Sequence, residues 1–577
     1  MHLTDAGTPH RRWALAALVA LAAVAVGLRL TEASDVHDKD QPGVLGHAVD
    51  VAVNDAWLVQ WEVGHGYATK PPMYPWLAGL GLKLTGWRHP FVFKWPSLAA
   101  AAVTVVLVYR IARPAVGRGG GLLASAVFLA NPVTHKLMYV ARTDAVVTML
   151  LTLAAWAAIR MREAWNDEAA EHPRAPLGLV AAFWVATAAA ALTKGPVAAM
   201  PIAFLLGLVV WDGGRGWARC RPGWQAVGLA VAVGLPLTWL GAVLQWHPDY
   251  VETLRGEMGS RVVGTSDAAY RPWLAVVYAV TRFVPWSPMA VAGGAAVAWG
   301  WLASRRDAGL DPERRDEATW WRRLGPAAAF VVVVIGVLML ATTQRPDRLM
   351  PAYPMAAVLA AAVAVDGARR WNPPRVVAAI VVGLVGVAGV AAAGSPWYLP
   401  GPGPIDAGGA AGLPANPWPT WNFYAGAMIA GAAGLVTLGL LTRGRLRLAT
   451  WAACFAAIGL VAVEADERSE PARTRHGDQL LALVERVRAV QAQRGEPLPL
   501  AFHHTGYAPI QSLLGRNTPA DDAQLDRVGP AGGLVITSRP EVVEARFEAR
   551  AEAIARTATL KQPGRPLVLF EVAAAGQ

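Results

Sequence analysis

A chain of 577 residues, 54% of them apolar and only 16% charged, is too long for one ordinary soluble domain and too apolar for a water-exposed surface throughout. Its net charge of +11 brings nucleic acid to mind, but the basic residues fall in short clusters between apolar runs, a membrane pattern that argues against a nucleic-acid partner. The 2 cysteines, Cys220 in a basic loop and Cys454 in an apolar run, argue against a disulfide framework or a cysteine metal site.

Apolar runs of roughly 17–25 residues match a bilayer core. Thirteen such runs are predicted, near residues 13–30, 92–112, 119–134, 144–160, 176–193, 195–211, 224–246, 273–302, 325–342, 349–366, 374–394, 422–441 and 448–464. The first follows Arg11-Arg12 and reads as an uncleaved helix, because no small-x-small cleavage site follows it. With the N-terminus in the cytoplasm, the Arg clusters at Arg110/Arg113/Arg118, Arg160/Arg162, Arg215/Arg219/Arg221, Arg305/Arg306, Arg369/Arg370 and Arg443/Arg445/Arg447 fall on that same side. The expected fold is therefore a polytopic α-helical protein of the inner (cytoplasmic) membrane with about 13 transmembrane helices. No internal repeat suggests a transporter built from matched halves.

An odd number of spans sends the C-terminus outside. From about residue 466 the composition becomes that of a soluble domain. An amphipathic helix is predicted over Gly477–Arg494, with Leu480, Leu481, Val484, Val487 and Val490 on one face. Pro499–Phe502 reads as a strand, Ile510–Leu514 as a short helix, Leu534–Thr537 as a strand, Pro540–Arg556 as a charged helix and Leu567–Val572 as a last strand. Strands alternating with helices predict a small α/β domain over residues 466–577, after a membrane domain over 1–465. The Pro- and Gly-rich segment 395–421 reads as an outer loop.

Ionisable groups at bilayer depth cost roughly 2.5–3.5 kcal/mol even on insertion scales, so those beside the outer span ends draw attention. The loop 31–91 carries Asp40, Trp57 and the run Tyr67-Ala68-Thr69-Lys70-Pro71-Pro72 before Trp76-Leu77. Later outer loops carry Arg142-Thr143-Asp144, Thr193-Lys194-Gly195-Pro196, Arg261, Tyr270-Arg271-Pro272-Trp273 and Arg345-Pro346-Asp347-Arg348-Leu349-Met350-Pro351-Ala352-Tyr353-Pro354. Each also has a plain structural reading. Asp40 can cap the helix that follows it, and Asp144 opens an apolar helix where an N-cap or helix-dipole role suffices. Lys70, Lys194 and Arg348 can snorkel and anchor helix ends. His37, His47, His65 and His135 have no helix-spaced metal pattern, and Tyr67, Trp76 and Trp273 fit an interfacial aromatic belt.

As an ordered set, these segments resemble the GT-C membrane glycosyltransferases. The branch is that of the bacterial lipid A aminoarabinose transferase and the protein O-mannosyltransferases. The matching pieces are Asp40, Trp57, Tyr67-x-x-Lys70-Pro71-Pro72 with Trp76-Leu77, Arg142-Thr143-Asp144, Leu192-Thr193-Lys194-Gly195-Pro196 with Pro201, Pro285-Trp286-Ser287, and Arg348-Leu349-x-Pro351-x-Tyr353-Pro354. The family has an acidic pair where this chain has Asp40-Gln41, leaving one carboxylate. In the aminoarabinose transferase type, an acid before the Lys-Pro-Pro lysine and a later histidine together imply a divalent metal. Here those positions hold Thr69 and Tyr270, so that metal site is expected to be absent, and whether the chain needs a divalent metal stays open.

The resemblance implies transfer of a sugar from a polyprenyl-phosphate donor to an acceptor hydroxyl on the outer face, with inversion. The acceptor would belong to lipid A, a glycan, a glycolipid or a protein. It implies Asp40 as the base, Asp144 as an orienting acid, and Lys70, Arg348 and Lys194 as the cations facing the donor phosphate. Tyr67, Arg142, Arg261, Tyr270 and Tyr353 would complete the pocket. A flippase for lipid-linked sugars would share those cations without needing the acid, and an inactive envelope-assembly scaffold is a third reading.

Overall fold

A computed structural model describes residues 41–62, 66–87, 89–129, 131–262, 271–283, 286–305, 311–340, 345–370, 471–494, 498–505, 508–516, 518, 520–529, 531–557 and 565–575. Asp40, Tyr270 and the runs predicted at 13–30, 374–394, 422–441 and 448–464 lie outside these residues. Among the described residues, 5 helices are long and apolar enough to cross a membrane, or 6 if the bent pair Arg314–Arg322 and Gly325–Met339 is one span. The protein is a multi-pass membrane protein; the expected total of 13 is not established by these spans.

The helical part begins with Gln41–Asn54, joined through a two-strand ribbon (β1, Trp61–Glu62; β2, Gly66–Tyr67) to the helix Met73–Thr85. These two helices pack closely: a Cβ on Gly79 would stand 2.7 Å from Val51 Cβ, so the small residue sets their separation. The runs expected at 92–112 and 119–134 form Pro90–Leu129, broken at Gly117, whose φ of 74° lies in the left-handed region that glycine reaches without strain. Helices Thr143–Trp165, Leu177–Lys194, Ala199–Trp211 and Pro222–Trp246 follow, near the predicted bounds. The run expected as one span at 273–302 is instead two helices, Leu274–Thr281 and Ser287–Arg305. The last described apolar helix, Tyr353–Arg370, is preceded by a tighter 3₁₀ turn over Pro346–Ala352. The turn carries Pro346 and Pro351, and Pro351 lacks the N–H that a regular helix uses.

Thr143–Trp165 sits at the centre of the bundle, packed against the helices Pro90–Leu129, Leu177–Lys194 and Ala199–Trp211. Its far end is held by one carboxylate. Asp212 accepts from Arg162 Nε at 2.9 Å and Nη2 at 2.6 Å, from Trp165 Nε1 at 2.8 Å and from Asn166 Nδ2 at 2.7 Å. Arg219 adds a bond from its guanidinium to the Trp165 carbonyl at 2.9 Å.

The C-terminal part is an α/β unit with strand order β3-β4-β6-β5, where β3 is Leu500–His503, β4 Gly533–Thr537, β5 Ala551–Arg556 and β6 Val568–Val572. β3 and β4 run parallel, while β6 is antiparallel to both β4 and β5. The helix Pro471–Arg494 and the short helix Ala508–Leu513 match expectation, and a further helix, Ala523–Val528, was not anticipated. The charged helix expected to reach Arg556 ends at Phe547; Glu548 turns the chain at φ 48°, and Ala551–Arg556 becomes an edge strand. Open ladder groups on β6 outweigh the helix propensity of an Ala- and Glu-rich segment. The short helix Ala508–Leu513 packs against Gln41–Asn54 of the membrane part.

Burial pushes the Asp212 carboxyl up, but bonds from Arg162, Trp165 and Asn166 outweigh it and hold the group below the ordinary carboxylate range. A carboxyl held low in the folded chain contributes stability that is present at neutral pH and lost as pH falls below its unfolded value. Asp212→Ala should destabilise the protein by on the order of 3 kcal/mol, the usual effect of breaking a largely buried ion pair. Its thermal midpoint should also respond less than wild type to acidification from about pH 5 to pH 3. Equal midpoints and equal pH slopes would remove Asp212 as the anchor.

Candidate active site

At the other end of Thr143–Trp165, Asp144 is the second residue of the helix, where the unpaired N–H groups favour a negative charge. Its carboxylate is buried, with side-chain exposure of 3%. Lys194, the last residue of the neighbouring helix, donates to Oδ1 at 2.6 Å, and Arg142 Nε lies 3.2 Å from Oδ2. Arg142 also donates through Nη2 to Asp347 in the 3₁₀ turn, and Arg345 Nη2 lies 3.6 Å from the same Asp347 oxygen. Lys70, three residues before Met73, is within Coulombic range of Asp144.

Lys194, Asp144, Arg142, Asp347 and Arg345 thus form a chain of ion pairs with 3 cations and 2 anions. Lys70 adds further positive charge. A largely buried group with excess positive charge favours an anion beside it.

Several bonds hold this constellation in place. The Tyr74 hydroxyl is buried, 3.0 Å from the Phe93 carbonyl and 2.9 Å from Ser97 Oγ. Ser97 reaches the carbonyls of Val140 at 2.7 Å and Arg142 at 3.2 Å. The Lys-Pro-Pro corner, two residues before Tyr74, is in this way tied to the segment carrying Arg142 and Asp144. Gln41 is fully buried, and its Oε1 accepts from the Ala141 N–H at 2.9 Å. The side chain standing in for the family's second acid is therefore fastened to the backbone of that same segment.

Tyr67 packs edge-on against His247 and Tyr250, with ring centroids 5.7 and 6.1 Å away. Burial, then the Asp249 carboxylate, push its hydroxyl above the usual tyrosine value. Tyr250 donates to the Ala68 carbonyl at 2.9 Å, securing the strand end before Lys70. Arg348 is half-buried on the 3₁₀ turn. Tyr353 is buried and stacked on Phe283 at 5.1 Å, and its hydroxyl makes no hydrogen bond among the described residues. Arg282 and Asp347 are within electrostatic reach of it. Arg261 lies on the helix Tyr250–Val262, with its side chain outside the described residues, as are Asp40 and Tyr270.

The structure therefore brings Lys70, Arg142, Asp144 and Lys194 together with Asp347, and sets Tyr353 beside them. Sequence reasoning gave Asp347 no role, although it sits inside the quoted Arg345–Pro354 segment. Lys94, fully buried with Nζ 4.3 Å from the centre of the Tyr139 ring, is a buried cation that it also missed. An apolar stretch in linear sequence gives no sign of which charge meets which ring.

Thr69, at the family's metal-ligand acid position, is exposed and offers only a hydroxyl, a poor ligand for a divalent ion. Among the described residues, 3 or more His, Cys, Asp or Glu converge only at His503, His504 and Asp522 in the C-terminal domain. Thr69 does not supply the carboxylate that the resemblance implies for a metal at its position, and Tyr270 lies outside the described residues.

Removing the Asp144 charge should leave Lys194 and Arg142 facing each other. Asp144→Asn is expected to cost on the order of 3 kcal/mol of stability, seen as a lower thermal midpoint. Adding Lys194→Gln should recover part of that loss, because the second change removes the stranded cation. Strictly additive losses would show that the two side chains are not coupled.

Residues 69–239 match the family model described as dolichyl-phosphate-mannose-protein mannosyltransferase. The crystal structure of ArnT from Cupriavidus metallidurans bound to undecaprenyl phosphate is similar at a TM-score of 0.62 and 17% identity, covering 97% of this chain and 99% of that one. Its apo state gives 0.60 at the same 17% identity and the same 97% and 99% coverage. No curated protein matches the chain in sequence. The segment holding Lys70, Arg142, Asp144 and Lys194 lies wholly inside the matched 69–239. The chain has the GT-C fold and resembles the ArnT and protein-mannosyltransferase branch of the GT-C membrane glycosyltransferases.

Proposed function

We propose that the protein transfers a sugar from a polyprenyl-phosphate donor to an acceptor hydroxyl on the outer face of the inner membrane, with inversion at the anomeric carbon. The observation that carries this reading is the excess of positive charge in the Lys194–Asp144–Arg142–Asp347–Arg345 chain beside Lys70. A phosphate leaving group departs as a concentrated anion, and cations already in place lower the barrier most where that charge develops. The bound undecaprenyl phosphate of the ArnT relative supports the same donor class.

In this reading Lys70 and Arg348 face the phosphate. Lys194, bonded to Asp144 at 2.6 Å, contributes mainly by holding Asp144 and Arg142 in position. The acceptor oxygen attacks the anomeric carbon, the bond to the phosphate oxygen breaks with its electron pair, and Asp40 takes the acceptor proton. The neighbouring Gln41 is tied to the Ala141 backbone, and Ala141 precedes Arg142. The buried, unpaired Tyr353 hydroxyl supports a polar ligand at that wall of the pocket, since such a group costs about 1–3 kcal/mol when left without a partner. The C-terminal domain, over residues 466–577, would stand on the outer side.

Membranes carrying the wild type should release free polyprenyl phosphate from one member of a panel of polyprenyl-phosphate sugars. Asp40→Asn should abolish release while sparing donor binding, and Lys70→Met should slow turnover by about 10²–10³-fold. Intact lipid-linked sugar crossing the bilayer without release would identify a flippase instead. Neither release nor crossing from any donor would favour a scaffold.

A further inference from the structure

The C-terminal domain carries a second polar cluster that the transfer reading leaves unused. His503 ends β3, where it is fully buried, and His504 follows it with φ 46°, a left-handed backbone angle costly for a side chain of this kind. That angle is held from both sides: the His504 N–H donates to the Ala520 carbonyl at 2.9 Å, and Ser538 donates to the His504 carbonyl. It swings the His504 ring beside that of His503, with centroids 4.5 Å apart. Both rings then face one carboxylate oxygen. His503 Nε2 is 2.8 Å and His504 Nε2 3.6 Å from Asp522 Oδ1.

We infer that this cluster binds one divalent transition-metal ion of the zinc class through His503 Nε2, His504 Nε2 and the Asp522 carboxylate, with water at the remaining position. The donor atoms lie within 4.8 Å of one another. In tetrahedral zinc sites, Zn–N bonds of about 2.0–2.1 Å place neighbouring donors roughly 3.3 Å apart. The observed separations of 2.8 and 3.6 Å straddle that value, so small side-chain rotations suffice. Two imidazoles and one carboxylate with an open position suit zinc better than magnesium or calcium, which prefer oxygen.

The surroundings supply what a metal-binding histidine needs behind it. His503 Nδ1 is 2.9 Å from Thr537 Oγ1, which also accepts from the Arg539 N–H at 2.9 Å. In the ion-bound state, with the proton on Nδ1, the imidazole donates to Thr537 and the Nε2 lone pair is free for the metal, which replaces the proton that Nε2 shares with Asp522 at 2.8 Å. Arg546, on the helix Pro540–Phe547 and within electrostatic reach of Asp522, is engaged by Asp526. Asp522 immediately precedes the helix Ala523–Val528, so a bound ion would join the end of β3 to that helix. The junction stands five residues before the short helix that packs on Gln41–Asn54. This site is independent of the proposed transfer chemistry.

The test uses the full-length protein, tag removed, in detergent and after treatment with a chelator. Zinc titrated in competition with a chromogenic chelator should bind at one ion per chain and raise the thermal midpoint, and cobalt should give the visible absorption of a tetrahedral ion. His504→Ala and Asp522→Asn, both at surface-accessible positions, should keep the metal-free midpoint and lose the zinc-dependent rise. Thr537→Val should weaken zinc binding by about 10–100-fold without changing the stoichiometry. The proposal is overturned if wild type binds no zinc, or if it binds equally in both His504→Ala and Asp522→Asn. Should either variant fail to fold, the other decides.

Discussion

The Asp144 carboxylate organises the functional end of the bundle. It is buried at the start of the central helix, and burying a charge is tolerable only when opposite charges and hydrogen bonds surround it. Arg142, just ahead of that helix, and Lys194, from the end of a neighbouring helix, meet that requirement, and Arg142 passes the constraint to Asp347 on the 3₁₀ turn. Three stretches far apart in sequence are thereby held in one register by electrostatics. The positive charge left over suits the same place to an anion, so the interactions that stabilise the bundle end also set its electrostatic character.

The opposite end of that helix is held in the same manner by Asp212, which accepts from Arg162, Trp165 and Asn166. A helix anchored by a carboxylate at each end cannot slide along its axis without stranding charge in a low-dielectric setting. Its apolar flanks, in contrast, specify orientation only loosely, since lipid and protein interior are nearly equivalent to a leucine or valine. Polar anchors therefore set the depth of Arg142 and Asp144. Tyr74, Ser97 and Gln41 then bring the Lys-Pro-Pro corner to them through hydrogen bonds to the 140–142 backbone.

Gln41 illustrates how one substitution can keep a position while changing its chemistry. As an amide it accepts from the Ala141 N–H and remains neutral, so full burial costs no charge desolvation. A carboxylate there would add negative charge beside Asp144 and call for another cation. In the C-terminal domain the pattern is reversed. His503 is buried but Asp522 is exposed, leaving that cluster an approach from solvent.

Much of this was legible in linear order. Long apolar runs separated by Arg clusters specify a multi-pass helical protein because a bilayer demands length and polarity of every segment, whatever its partners. The Tyr67–Pro72, Arg142–Asp144 and Leu192–Pro196 motifs mark the working end because charged residues have few other reasons to sit beside rigid proline corners there. What the sequence does not contain is pairing. That Lys194 bonds Asp144, that Arg142 bridges to Asp347, and that Gln41 is a structural tether follow from distances between segments 50 to 205 residues apart. The strand at Ala551–Arg556 likewise exists only because β6 offers it an open edge. Hydrophobic periodicity is a local property set by solvent; charge pairing and strand addition are non-local, and only the folded chain decides them.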